Sequence, residues 1–266
     1  MESLEGKTVF ITGATSGIGK ACAYAFAEQG ANVVISARRL NLVNEIAKDI
    51  RKKFGVRVYS FKMDVTKRNE VEKSIHSLPA EFMKIDILIN NAGLGRGLNK
   101  FYEDNPDGWE EMIDTNVKGL LYVTHFILPG MIERGKGHII NIGSIAGHEA
   151  YPKGAVYCAS KHAVDAITRS LRMDIIDKNI LVSTIDSGLV ETEFSKVRFY
   201  GDEEKAKNVY KGLTPLTGED VADAVIFCAS RPAHVNIAEI TLLAARQASA
   251  TVVYREENLN NHIFQR

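Results

Sequence analysis

Short β-branched, apolar runs alternate with longer segments of helical periodicity along almost the whole chain, and this alternation constrains the fold more than any other feature. Candidate strands fall at Lys7–Thr12, Asn32–Ala37, Val56–Met63, Ile85–Asn90, His138–Gly143, Ile180–Ile185 and Glu239–Leu243. Helical patterns occupy Gly17–Gln29, Arg39–Phe54, Lys67–Glu81, Pro106–Glu133, Ala155–Asp177 and Gly218–Ser230. Strand–helix alternation predicts right-handed βαβ units. The expected fold is therefore α/β, a doubly wound parallel sheet of about seven strands with helices on both faces. Val9-Phe10-Ile11 and Ile87-Leu88-Ile89 are apolar without alternation, as strands covered on both sides must be.

Composition removes several function classes. With 45% apolar and 25% charged residues the chain reads as an ordinary globular protein rather than a disordered or membrane one. Lys plus Arg and Asp plus Glu both total 33, which leaves no broad basic surface for nucleic acid or an anionic membrane. No apolar run approaches the roughly 18 residues that span a bilayer. Cys22, Cys158 and Cys228 are too few and too scattered for a disulfide framework. Together with an N-terminus lacking a signal-peptide layout, they suggest a reducing, cytoplasmic setting.

No repeat, low-complexity tract or linker divides residues 1–266, so one domain is expected. Two stretches interrupt the alternation. Ser187–Glu204 reads as a loop with a short helix after it, suggesting a lid over about 187–215, and Tyr254–Arg266 reads as a polar tail.

The first strand runs into Thr12-Gly13-Ala14-Thr15-Ser16-Gly17-Ile18-Gly19 and then at once into a helical pattern. Glycines permit a tight turn and close approach of backbone to a pyrophosphate, while the helix N-terminus supplies free N–H donors. Many Gly-rich turns merely join a strand to a helix, but this one stands at the first βα junction, where a dinucleotide fold needs it. The spacing T-G-x-x-x-G-I-G resembles that of the short-chain dehydrogenase/reductase family, and the likeness runs from Lys7 to about Leu243. It implies a Rossmann fold, a nicotinamide cofactor held by Gly13, Thr15, Ser16, Gly17, Ile18 and Gly19, and oxidoreductase chemistry on a small alcohol or carbonyl substrate.

The second strand ends Ile35-Ser36-Ala37-Arg38-Arg39, with Ala37 where the family's NAD users carry aspartate. An acid there would repel a 2′-phosphate, whereas Arg38 and Arg39 can pair with it, so NADP(H) is the expected cofactor. A solvated first helical turn is the plainer reading of the two arginines. It sets positive charge against the positive end of a helix dipole, which a nearby anion would relieve. Asp64, followed by Val65, resembles the family's adenine-contacting position, although Asp64 could equally cap the next helix. Asn90-Asn91-Ala92-Gly93 closes the fourth strand and could be a simple turn. The resemblance makes Asn91, Ala92 and Gly93 cofactor contacts.

Tyr157 and Lys161 stand four residues apart in a helical pattern and so share a face. A tyrosine with a pKa near 10 is a poor base at neutral pH, and a lysine ammonium held close would favour its phenolate. Of nine tyrosines only Tyr157 has lysine four residues on, yet one such match by chance is unremarkable. Context adds weight: Ser144 closes the fifth strand 13 residues earlier, where a hydroxyl could orient the reacting oxygen. Asparagine is unfavourable inside a long helix, and Asn116 in Asp114-Thr115-Asn116-Val117-Lys118-Gly119 needs a reason to be there. The resemblance supplies one: Asn116, Ser144, Tyr157 and Lys161 fall at the positions of the family's catalytic tetrad, with Asn116 at a local helix distortion. The seven histidines show no metal-binding spacing, so no metal is expected.

After the sixth strand the family's Pro-Gly-x-Val-x-Thr reads Ser187-Gly188-Leu189-Val190-Glu191-Thr192 here. Gly188, Val190 and Thr192 match cofactor positions. Within the family the chain is most similar to NADP-dependent serine/3-hydroxy acid dehydrogenases, in Asp114–Gly147, Val190–Phe199 and Arg231–Asn236. That implies a substrate oxygen held by Ser144 and Tyr157, a carboxylate needing a cation, with Arg198 and Arg246 as candidates, and a homotetramer. Each arginine could instead be surface charge or half of a salt bridge. A reductase of neutral ketones, diketones or 3-oxoacyl chains is the alternative enzyme, and a redox-sensing NADP-binding protein the alternative from another class. Ser187 in place of proline frees a φ angle and restores a backbone donor. Ser187→Pro should raise the melting temperature, and an unchanged or lower value would show that the ring does not fit this turn.

Overall fold

The computed structural model describes residues 2–256. Seven strands form one parallel sheet in the order β3-β2-β1-β4-β5-β6-β7. They are β1 (Thr8–Thr12), β2 (Asn32–Ala37), β3 (Val58–Lys62), β4 (Ile87–Asn90), β5 (Gly137–Ile142), β6 (Ile180–Ser187) and β7 (Glu239–Leu242). The helices are α1 (Gly17–Glu28), α2 (Leu40–Phe54), α3 (Arg68–His76), α4 (Pro106–Ile113), α5 (Leu120–Arg134), α6 (Ala155–Asp174), α7 (Glu193–Arg198), α8 (Glu203–Asn208) and α9 (Gly218–Ala229). The expected Rossmann architecture is therefore present, with every expected strand in place.

The uninterrupted apolar character of the central strands has a simple cause. Val9 and Ile11 of β1 pack on one face with Phe26 of α1, Ile46 and Ile50 of α2 and Val225 of α9. Phe10, between them, packs on the other face with Leu88, Val71 of α3, and Val123 and Ile127 of α5. Phe10 and Phe26 are wholly buried, each removing an aromatic side chain from water at a gain of about 2–3 kcal/mol.

Two stretches depart from expectation. The helix expected over Pro106–Glu133 is three pieces, because a π-helical turn at Asp114–Gly119 separates α4 from α5. That turn is held from outside the helix: Asn116 Oδ1 accepts from the Leu94 N–H (2.9 Å), and its Nδ2 donates to the Leu94 carbonyl (2.9 Å) and Ser160 Oγ (3.0 Å). A side chain that must pair with a loop backbone draws the helix out of its 3.6-residue register. The second departure is Ser187–Glu204, expected as a loop and found to hold all of α7 and the start of α8. Thr192 caps α7 by accepting from the Phe194 N–H, and Asp202 caps α8 by accepting from the Lys205 N–H. Helices of 6 residues each are too short to show a periodicity of their own.

Of the expected polar tail, Tyr254 packs on Arg246, and Arg255 and Glu256 pack back on the turn after α8. Arg255 donates to the carbonyls of Lys211 and Val209, and the Glu256 N–H donates to the Gly212 carbonyl. The rest of the tail, 257–266, lies outside the described residues. Among the described residues no helix is long and apolar enough to cross a membrane.

Candidate active site

The strand order reverses between β1 and β4, so the loops leaving their C-terminal ends diverge and open a crevice. A cleft of about 720 Å³ lies there, within the size range of small-molecule sites. Its lining includes Gly13, Thr15, Ser16, Gly17 and Ile18 from the first turn, Arg38 and Arg39 after β2, and Asp64 and Val65 after β3. Asn91, Ala92 and Gly93 after β4, Ser144 after β5, Tyr157 and Lys161 of α6, and Gly188, Val190, Thr192 and Arg198 complete the set. Sequence reasoning had placed all of these residues in one site.

Three expected residues do not line the cleft. Gly19 is packed inward: a Cβ there would stand 2.3 Å from Asn91 Nδ2, so this glycine lets α1 pack against the β4 end. Asn116 is buried behind the cleft, spent on Leu94 and Ser160. Arg246 is not drawn in either, since its guanidinium pairs with Glu256 and lies over the Tyr254 ring.

The cleft fits a phosphorylated dinucleotide at two points. Ser16 precedes α1 without capping it through its side chain, and no acid stands in the first turn, so the helix N–H groups remain available to a pyrophosphate. Arg39 is held at the rim by Thr15 Oγ1 (2.8 Å), Ser16 Oγ (3.3 Å) and Glu193 Oε2 (2.9 Å), while Arg38 is exposed beside it with Glu111 at 3.9 Å. Asp64 does not cap α3, whose N-cap is Lys67 with no side-chain bond; it closes a local turn instead. Its carboxylate accepts from the Thr66 N–H and hydroxyl just before α3, and its flank lines the cleft.

At the other end, Ser144 is positioned by β6. Its N–H donates to Asp186 Oδ1 (3.1 Å), and its hydroxyl donates to the Ser187 carbonyl (3.3 Å) and accepts from the Ala146 N–H (3.1 Å). Gly143 makes this possible, because a Cβ there would fall 1.7 Å from Asp186 Oδ1. Burial raises the Asp186 carboxyl pKa, and His148 counters the effect from 3.1 Å. His148, Asp186 and Glu239 gather within 4.8 Å, a grouping invisible in the sequence spacing. Arg169 pairs with Glu239 (3.1 Å) and joins them in one ion-pair network.

The charges around Tyr157 differ from expectation. Burial pushes the Tyr157 phenol above its usual pKa, while the Arg198 cation and the Ser144 hydroxyl pull it down. The guanidinium of Arg198 stands 4.7 Å from the Tyr157 ring centroid and 4.9 Å from that of Phe194. Lys161 instead donates to the Ile142 carbonyl (2.8 Å). The cation over the phenol thus comes from α7, not from the same helix. Tyr151, Phe194, Tyr210 and Gln247 also line the cleft. They went unnoticed in the sequence, being single residues with no motif to mark them.

The profile described as short chain dehydrogenase matches residues 7–202. The chain belongs to this family. Short-chain dehydrogenases are oxidoreductases, in keeping with the open crevice, the first turn and the Ser144–Tyr157–Lys161 group. An NADP-dependent 3-hydroxy acid dehydrogenase of Schizosaccharomyces pombe is 45% identical over 258 residues, covering 97% of this chain and 100% of that protein. An enzyme of the same name from Salmonella typhi is 44% identical over 243 residues, 91% of this chain and 96% of the other. The closed form of serine dehydrogenase complexed with NADP+ superposes with a TM-score of 0.87 at 42% identity, over 94% of this chain and 100% of that one.

Burial lowers the Lys161 ammonium pKa to about 8, with Asp186 partly restoring it. An unfolded lysine titrates near 10.4, so between these values the unfolded chain binds more protons and stability contributed at this site rises with pH. Lys161→Met should lack this rise. Melting temperatures of the two proteins from pH 7.5 to 10 test it, and parallel curves would contradict it.

Proposed function

We propose that this short-chain dehydrogenase transfers a hydride between NADP(H) and the hydroxyl or carbonyl of a small 3-hydroxy acid such as serine, allo-threonine or 3-hydroxypropionate. The observation carrying the reading is Arg198, a cation set directly over the Tyr157 ring inside the cleft. A carboxylate two carbons from the reacting hydroxyl would find its counter-ion there, within reach of a charge-assisted contact. A neutral ketone would leave the Arg198 guanidinium with only the Tyr151 hydroxyl (3.4 Å) and the ring faces, and its buried Nε has no partner among the described residues.

Bound NADP+ supplies the hydride acceptor for oxidation, and NADPH the donor for reduction. Gly13, Thr15, Ser16, Gly17 and Ile18 hold the phosphates, Arg38 and Arg39 the 2′-phosphate, and Asp64 and Val65 the adenine. Asn91, Ala92 and Gly93 take the adenosine ribose, while Gly188, Val190 and Thr192 take the nicotinamide end. In oxidation, Tyr157 Oη accepts the proton of the substrate hydroxyl while Ser144 Oγ holds the same oxygen. In reduction Tyr157 returns that proton. Arg198 favours the phenolate by its charge and is relieved of its own burial by the substrate carboxylate. Lys161, tethered to the Ile142 carbonyl, stays as a buried cation behind the tyrosine, the proton taken by Tyr157 is given up to solvent through the open cleft, and Asn116 keeps the neighbouring turn in shape. Residues 187–215 act as the lid.

The same reading makes the protein cytoplasmic and tetrameric. Its free cysteines are buried thiols suited to a reducing compartment. Leu121 and Ile132 on α5 and Met173 on α6 remain exposed as apolar surface for a second copy.

Arg198→Gln should raise KM for 3-hydroxypropionate at least about tenfold and leave KM for a neutral secondary alcohol almost unchanged, while the charge lost beside the Tyr157 phenol lowers kcat for both alike. Steady-state kinetics with both substrates decide the matter, and equal effects on the two KM values would remove the acid from the proposal.

A further inference from the structure

Arg198 is as effective as its position, and its position is set from outside the cleft. The segment leaving β4 carries Arg96, which does not line the cleft. Its guanidinium makes two parallel bonds to Glu111 of α4, Nε to Oε2 (2.6 Å) and Nη2 to Oε1 (2.8 Å). The remaining nitrogen, Nη1, donates to the Val197 carbonyl, and the adjacent Gly97 N–H donates to the Arg198 carbonyl (2.9 Å). Both carbonyls belong to the last turn of α7, where a helix welcomes positive charge, and the Val197 carbonyl also accepts from the Tyr200 N–H (3.2 Å). The guanidinium also lies 4.9 Å from the Tyr200 ring, just past that turn. One side chain therefore fastens the end of α7 to α4, and Arg198 leaves from that end.

Two glycines make room for this arrangement. Gly108 sits inside α4, where glycine is a poor helix former, and a Cβ there would stand 2.9 Å from Arg96 Cβ and 3.0 Å from Tyr200 Oη. At Gly95, beside Arg96 in sequence, a Cβ would stand 2.7 Å from Arg198 Nε. Arg96, Gly95 and Gly108 thus form one seat, for the α7 end and for the side chain of Arg198.

We propose that Arg96 is a positioning residue that sets the selectivity of the site for carboxylate substrates, by holding Arg198 over Tyr157. The inference rests on the reading of Arg198 as the carboxylate's partner. Lysine cannot replace Arg96, because a single ammonium cannot span both Glu111 oxygens and the Val197 carbonyl in the geometry of a planar fork.

The test compares 3-hydroxypropionate with its methyl ester, the same carbon skeleton without the charge, using NADP+ and the full-length protein. Arg96→Met and Arg96→Lys should each raise KM for the acid about tenfold, the scale of one lost charge-assisted contact. KM for the ester should change less than about twofold, and any fall in kcat from loosening the charge over Tyr157 should be the same for acid and ester. Combining Arg96→Met with Arg198→Gln should harm acid turnover no more than Arg198→Gln alone, because residues acting through one another are not additive. Equal rises in KM for acid and ester, or additive losses in the double variant, would overturn the role of Arg96 while leaving Arg198 intact. If Arg198→Gln alone shifts KM for acid and ester alike, the 3-hydroxy acid reading falls first and this inference with it. Should Arg96→Met fail to fold, Arg96→Lys and Glu111→Gln carry the same comparison, and an unchanged acid-to-ester KM ratio in both contradicts the proposal.

Discussion

Both hydrogen bonds that the buried backbone of Leu94 requires are supplied by one side chain, that of Asn116. An unpaired buried N–H or carbonyl costs about 1–3 kcal/mol, so the segment leaving β4 can run beneath the cleft only where an amide meets it. The same amide bonds Ser160 Oγ, which donates to the Tyr157 carbonyl. Three elements are thereby fixed together: the loop after β4, the distorted turn between α4 and α5, and the start of α6. The residues flanking the joint are Gly93 on one side and Tyr157 and Lys161 on the other. The site inherits its geometry from a contact that touches no ligand.

A second frame stands on the first. The loop held by Asn116 goes on to Arg96 and Gly97, which hold the end of α7 and with it Arg198. The tyrosine is thus anchored in the core, and the cation above it arrives from the peripheral helix. Burial opposes the phenolate, and Arg198 offsets part of that cost from the open side of the cleft. At the opposite rim Arg39 bonds Glu193 at the start of α7. The α7 segment is therefore tied at both ends by arginines paired with glutamates.

Much of this was legible in the sequence. The βαβ alternation, the Gly-rich turn and the Tyr157–Lys161 spacing are local patterns, and local patterns survive in one dimension. Asn116 was legible as an anomaly, a poor helix former where a helix was needed, and the π-helical turn accounts for it. What escaped was long-range. Lys161 stands one helical turn from Tyr157 but spends its ammonium on Ile142, while Arg198, 41 residues beyond Tyr157 in the chain, supplies the nearby charge. The His148–Asp186–Glu239 network joins three separate elements, and no spacing rule links them. Gly19 stands in the motif as a cofactor position, yet it does not line the cleft and a Cβ there would meet Asn91.

The central claim is that a phosphorylated nicotinamide cofactor and a charged 3-hydroxy acid meet in this cleft. Initial rates for L-serine, 3-hydroxypropionate and a neutral secondary alcohol, each with NADP+ and with NAD+, test it most directly. The account predicts the highest kcat/KM for a hydroxy acid with NADP+, with a loss on removing either the carboxylate or the 2′-phosphate. Preference for the neutral alcohol, or indifference between NADP+ and NAD+, would contradict it.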